Sequence, residues 1–193
     1  MRDDNKNVVL YDTMFFPVWL LMFMPRAWLV ILPLLFILNS AAMFGLLWRF
    51  EKIYAREKGE KLTELTPEKR GEILAVWKKS IIPAWIVSFV SWLLSAGMLM
   101  MTAYIPGILS GEDSWWSRNI AEPISENPLS NFFSIIVTLC CVFFAAYITY
   151  SLNKRISFRR LDMYDDELDR FAKWFSALTA PYVLLLPSIL FWS

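Results

Sequence analysis

The side chains best equipped for chemistry fall into a few small groups, and each group lacks something that a reaction needs. The densest carboxylate run is Asp162, Asp165, Asp166, Glu167 and Asp169. A metal site would need these groups to converge, yet adjacent positions on a helix do not face one another. The chain contains no histidine, so the commonest metal ligand and the usual general base are both missing. The run reads instead as the solvated start of a helix, where carboxylates complement the positive end of the helix dipole.

Met98, Met100 and Met101 form a thioether cluster. Methionine binds Cu(I), but without Cys or His beside it the cluster reads as flexible packing surface. Cys140 and Cys141 are neighbours inside an apolar run, which implies no disulfide. They read as small apolar fillers, with acylation or redox chemistry as the alternative. Glu112, Asp113, Glu122 and Glu126 accompany one base, Arg118, without the spacing of a metal loop. With six glycines there is no phosphate-cradling loop. No catalytic residue, cofactor or metal ligand is assigned, and the chain is not expected to be an enzyme.

The polar groups that remain lie inside apolar stretches. Asn39 is the one amide or charged side chain in the middle of any such stretch. In lipid it needs a partner, which places it against another helix. Ser88, Ser91 and Ser95 are spaced three and four apart and share one helix face. Such a face packs against a neighbouring helix or lines a polar path.

The elements that must position these residues are set by apolar length. Of the 193 residues, 57% are hydrophobic, against about 45–50% in an ordinary soluble domain, and the surplus is gathered in blocks. The stretch 27–48 carries no charge and is long enough to cross a hydrocarbon core of about 30 Å as a helix. We expect an all-α integral membrane protein, with four transmembrane helices in a bundle forming one membrane domain over residues 1–193. The spans are expected at 27–48, 81–105, 132–152 and 174–192. Between them run connectors at 49–80, 106–131 and 153–173.

Residues 13–24 are too short to span. They are expected as a short N-terminal interfacial or re-entrant helix, or else joined to the next run as a hairpin or a helix kinked at Pro25. Thr66-Pro67-Glu68 is a helix start signal, and Ile73, Leu74, Trp77 and Ile81 follow at one-face spacing. This predicts a cytoplasmic amphipathic helix on the membrane surface leading into the second span. Residues 106–131, rich in Pro and Gly, read as turns. Asn131 reads as a cap for the third span. Pro181 and Pro187 predict an irregular fourth span. Ala41 and Gly45 form a small-residue pair that would permit close helix approach. The ten tryptophans suggest headgroup anchors at the block edges.

Charge sets the expected sidedness. Nine Lys/Arg lie between Arg49 and Lys79, one between Pro106 and Asn131, and six between Asn153 and Lys173. Basic residues near span ends stay cytoplasmic, so both basic connectors are expected inside and loop 106–131 outside. With four spans, both termini would then lie outside. The expected address is a plasma membrane, of bacterial type. A net charge of +1 gives no basic field for nucleic acid.

Function is expected to be that of a non-enzymatic membrane subunit or accessory partner. It would pack through Asn39, Ser88, Ser91 and Ser95 against other membrane subunits or its own copies. A soluble partner would dock through Trp77, Lys78, Lys79, Arg159 and Arg160. The alternative is a small oligomeric channel or transporter with a polar path along the first two spans. A third reading, an interfacial lipid enzyme, is weakened because the candidate acids lie on exposed loops.

Overall fold

A computed structural model describes residues 18–57, 67–110, 114–159, 161 and 163–187. Among these every regular element is helical and none is a strand. The α-helices are α1 (Pro25–Glu57), α2 (Pro67–Ser110), α3 (Glu122–Glu126), α4 (Phe132–Leu152) and α5 (Asp165–Leu178). Short 3-10 turns occupy Val18–Phe23 and Tyr182–Leu185, and short π turns occupy Ser117–Ala121 and Asn153–Ser157.

Three helices are long and apolar enough to cross a membrane: Pro25–Ile53, Glu68–Pro106 and Phe132–Ser157. Their outer faces carry large apolar side chains such as Leu29, Leu34, Ile37, Phe132 and Phe143, all exposed. Water would penalise such a surface, whereas hydrocarbon matches it.

The expected fourth span does not form one helix over its described part. Helix α5 stops at Leu178, the chain turns at Thr179–Ala180, and a 3-10 turn follows Pro181. Proline at 181 has no N–H to donate to the preceding turn. Residues 188–193 lie outside the described residues, as do 1–17, which hold the first part of the expected 13–24 element. The last part of that element is the 3-10 turn Val18–Phe23, which packs against α1, α2 and the Tyr182–Leu185 turn.

Two further expectations change. Residues 67–80 are not a separate surface helix, because α2 runs unbroken from Pro67 through Pro83 to Pro106 and beyond. The amphipathic helix of the fold is α5, which buries Leu168, Phe171, Ala172 and Phe175. The connector 106–131 is largely helical rather than a string of turns. The capping role of Asn131 is observed: its Oδ1 accepts from the Phe133 N–H at 3.0 Å. The Thr66 cap lies outside the described residues. Gly45 is not at a helix contact, since a Cβ placed there would meet nothing within 4 Å.

Two apolar clusters hold the bundle. One gathers Met43, Leu46, Ile73, Ala84, Phe158, Phe171 and Phe175 where α1, α2, α4 and α5 meet at the basic end. The other gathers Met22, Ala96, Leu99, Ile124, Cys141, Val142 and Leu184. Through Met22 and Leu184 this second cluster brings both 3-10 turns beside the middle of α2 and α4.

Non-helical backbone at that depth must have its polar groups satisfied by protein. Two tryptophans do so here, and two more bond carbonyls inside α1 and α2. Trp28 Nε1 donates to Met22 O (2.9 Å), Trp85 to Leu32 O (3.0 Å), Trp92 to Thr179 O (2.8 Å) and Trp116 to Thr102 O (3.0 Å). Each acceptor lies within four residues before a proline: Pro25, Pro33, Pro181 and Pro106 in turn. Trp48, Trp115 and Trp174, by contrast, are exposed. The end of α5 is also closed by its own side chains. Thr179 Oγ1 donates to Phe175 O, and the Tyr182 hydroxyl donates to Ala177 O.

Thr102 O is the carbonyl that Pro106 leaves without a backbone donor. Trp116→Phe removes its replacement donor and should destabilise the fold by about 1–3 kcal/mol. Adding Pro106→Ala restores a backbone N–H to that carbonyl and should recover much of the loss, read as the denaturation midpoint in detergent. Failure of the double variant to recover would show that the indole acts by packing rather than by capping.

Candidate functional site

The seam between α1, α2 and α4 holds the four residues singled out as a packing face or polar path. Helices α1 and α2 run antiparallel, so that Leu32 meets Trp85 and Glu51 meets Lys69. This register brings Asn39 to Ser88. Asn39 Nδ2 donates to Leu35 O on its own helix at 2.7 Å, while its Oδ1 accepts from Ser88 Oγ at 2.7 Å. Ser91 Oγ donates to Val87 O at 2.8 Å, and Ser95 Oγ reaches across to Cys141 O on α4 at 2.6 Å.

All four side chains are 0% exposed. The serine face is therefore an internal joint: one end is tied to α1, the other to α4, and the middle is folded back on its own helix. It offers no ionisable group and no nucleophile paired with a base, so it has no evident means of acid–base or covalent catalysis.

Of the five residues expected to dock a partner, four are described. The Trp77 ring packs edge-on against Phe36 at 6.4 Å and is partly buried. Lys78 and Lys79 are exposed. Lys79 lines a cavity of about 390 Å³ with Glu51, Glu72 and Ser80, and the Ser80 hydroxyl is buried with no partner among the described residues. Arg159 lines a different, more open cavity of about 680 Å³. Leu161 and Met163 form a wall common to both. Arg160 lies outside the described residues.

Other expected groups stay apart. Met98, Met100 and Met101 are exposed on the outer surface of α2, and Cys140 and Cys141 are free thiols. Among the described residues no group of His, Cys, Asp or Glu is placed to hold a metal ion.

The carboxylate run divides in a way that its spacing alone does not indicate. Asp165, Asp166 and Glu167 do sit in the first turn of α5, and Glu167 accepts from the Tyr164 N–H. Asp169 does not belong to that solvated start. Its Oδ1 accepts from Lys154 Nζ at 2.6 Å and from the Tyr150 hydroxyl, and its Oδ2 meets Lys173 Nζ at 2.6 Å. The Asp169–Lys173 spacing of four was a readable signal. The partners on α4 and its π turn were not, because they depend on how α5 folds back. Hydrogen bonds from Lys154, Lys173 and Tyr150 hold the Asp169 carboxyl well below the usual carboxylate range. The same carboxylate raises the Lys173 ammonium above its ordinary value.

Ser88→Ala strands Asn39 Oδ1 in the core and should cost about 1–3 kcal/mol, whereas Ser91→Ala strands nothing and should cost less than about 1 kcal/mol. Denaturation in detergent measures both, and equal losses would mean that the Asn39 bond carries no special weight. Asp169→Asn should also destabilise, with a definite pH signature. A depressed carboxylate contributes stability that is present above its unfolded value, about 4, and is lost as pH falls through the lower folded value. The deficit of the variant should therefore be constant from pH 8 to pH 5 and shrink only in stronger acid, as thermal melts extended well below pH 4 would show.

No family model, no curated protein and no solved structure matches this chain.

Proposed function

We propose that the chain is a non-enzymatic multi-pass membrane protein that serves as a subunit or accessory partner of a membrane complex. The observation that carries this reading is the closed polar seam. Asn39, Ser88 and Ser95 each spend a hydrogen-bonding group on holding helices together, and none of the four seam side chains is exposed. A channel or transporter running along these residues needs them wetted, so their burial weighs against that alternative.

In this reading the apolar outer faces of α1 and α4 meet lipid, other membrane subunits or a second copy of the chain. The exposed Lys78 and Lys79, beside the anchored Trp77, dock a soluble partner. The address is a plasma membrane of bacterial type, with the basic connectors in the cytoplasm and loop 106–131 outside. The packing supports one side for both connectors: the Arg49 guanidinium lies over the Trp174 ring at 5.4 Å, so the end of α1 and the middle of α5 adjoin. Basic residues kept on one side are what membrane insertion retains in the cytoplasm.

Labelling tests the reading directly. Ser91→Cys, made in a background with Cys140→Ala and Cys141→Ala, should resist a membrane-impermeant maleimide in intact membranes and react only after denaturation. Reaction in the native state would favour the polar path instead. In mild detergent the chain should migrate with a partner or with itself, and a lone monomer would overturn the subunit role.

A further inference from the structure

Two chemically different surfaces of α4 meet at its basic end. Phe143 and Tyr147 are four residues apart on one helix ridge and are 70% and 67% exposed. The next member of that ridge is Ser151. Tyr147 and Ser151 line the open cavity of about 680 Å³, together with Lys154, Arg155 and Arg159. The aromatic ridge therefore runs directly into a cationic cleft.

The depth of that cleft follows from the helix itself. Lys154 and Arg155 fall within the last four residues of the apolar stretch Phe132–Ser157. In a bilayer that level is the headgroup region, where basic side chains keep their charge in water.

Charge within the cleft is unbalanced. The described lining holds three cations against one carboxylate, Asp165. Lys154 is already committed to Asp169. Arg155 and Arg159 are exposed, and among the described residues neither has an ion-pair partner. Guanidinium groups offer a planar fork of donors that matches phosphate oxygens. Leu161, Met163 and Leu168 supply an apolar wall to the same cleft. A cavity of this size is in the range that holds small ligands, about 300–1,000 Å³.

We propose that this cleft is a binding site for the headgroup of an anionic phospholipid. Arg155 and Arg159 take the phosphate, and an acyl chain lies along the Phe143–Tyr147 ridge. A soluble anion could use the guanidinium groups but not the ridge, and for this reason the proposal commits to a lipid. The site adjoins the cavity lined by Lys79, with Leu161 and Met163 as the wall between them, and it stands whether or not a protein docks at Lys78 and Lys79.

The test uses the full chain in neutral detergent, with phosphatidylglycerol and phosphatidylcholine of identical chains as probes and bound lipid read by native mass spectrometry. Phosphatidylglycerol should be retained in preference. Arg155→Gln with Arg159→Gln should weaken its binding by about tenfold or more, the scale of losing one charge-assisted hydrogen bond. A charge-matched control, Arg26→Gln with Arg70→Gln, should leave it unchanged. Asp165→Asn removes the carboxylate of the cleft and should tighten binding, an effect of opposite sign that keeps the test decisive if the arginine variant folds poorly. Equal retention of the two lipids, or equal loss in the control, would overturn the proposal. So would displacement by glycerol 3-phosphate at concentrations comparable to the lipid, since that would make the cleft a soluble-anion site.

Discussion

Hydrocarbon offers no hydrogen bonds, and that constraint organises this chain more than any single apolar contact. A backbone carbonyl left open at mid-bilayer costs several kcal/mol (on the order of 2–7 for an amide without a partner), so a membrane helix can end or bend only where something else donates. Here tryptophan indoles donate to four backbone carbonyls close to prolines, two of them in turns and two inside α1 and α2. The pairing of Trp116 with Thr102 O, opposite Pro106, shows the logic in its simplest form. The pairing of Trp92 with Thr179 O is more consequential, because it supplies a donor from α2 at the place where α5 ends. An indole is well matched to such a carbonyl. It has one donor, no acceptor that would itself need a partner, and a large apolar body that packs where it bonds.

The polar seam obeys the same constraint from the side-chain direction. Serine and asparagine within apolar helices need acceptors, and in the seam they find them in one another and in backbone carbonyls. Such bonds contribute modestly to membrane-protein stability, about 0.6 kcal/mol on average. Their larger effect is on register. Sliding α1 against α2 by one turn would separate Asn39 from Ser88 and leave buried polar atoms unpaired, whereas apolar contacts alone would tolerate several alignments. Ser95 fixes α4 to α2 in the same way through Cys141 O. The seam is thus better described as a positional lock than as a source of affinity.

The sequence showed those parts of the fold that depend on local pattern. Three apolar stretches, the Asn131 cap and the acidic first turn of α5 are each readable within a few residues. The polar face of α2 was readable from spacing, as was Asn39's need for a partner, although not the identity of that partner. What stayed hidden depends on distance along the chain. Trp92 and Thr179 are 87 residues apart, and nothing near either one indicates the other. The same holds for Asp169 and Lys154, which meet only because α5 returns toward the end of α4. Pro106 misled for a related reason. Proline-glycine normally ends a helix, but a donor supplied from outside the helix cancels the penalty, and α2 continues past it.

The division of polar groups between inside and edge then bears on what the protein can do. The groups of the seam are neutral and already bonded to one another or to backbone carbonyls. Most of the described charged groups stand at one end, where Asp169 neutralises part of the local positive charge by engaging Lys154 and Lys173. Arg155 and Arg159 remain beyond its reach. In the reading proposed above, this distribution places recognition at the rim rather than in the core. Within the three apolar helices the described charges lie towards the ends and not in the middle, which supports the proposed role as a subunit.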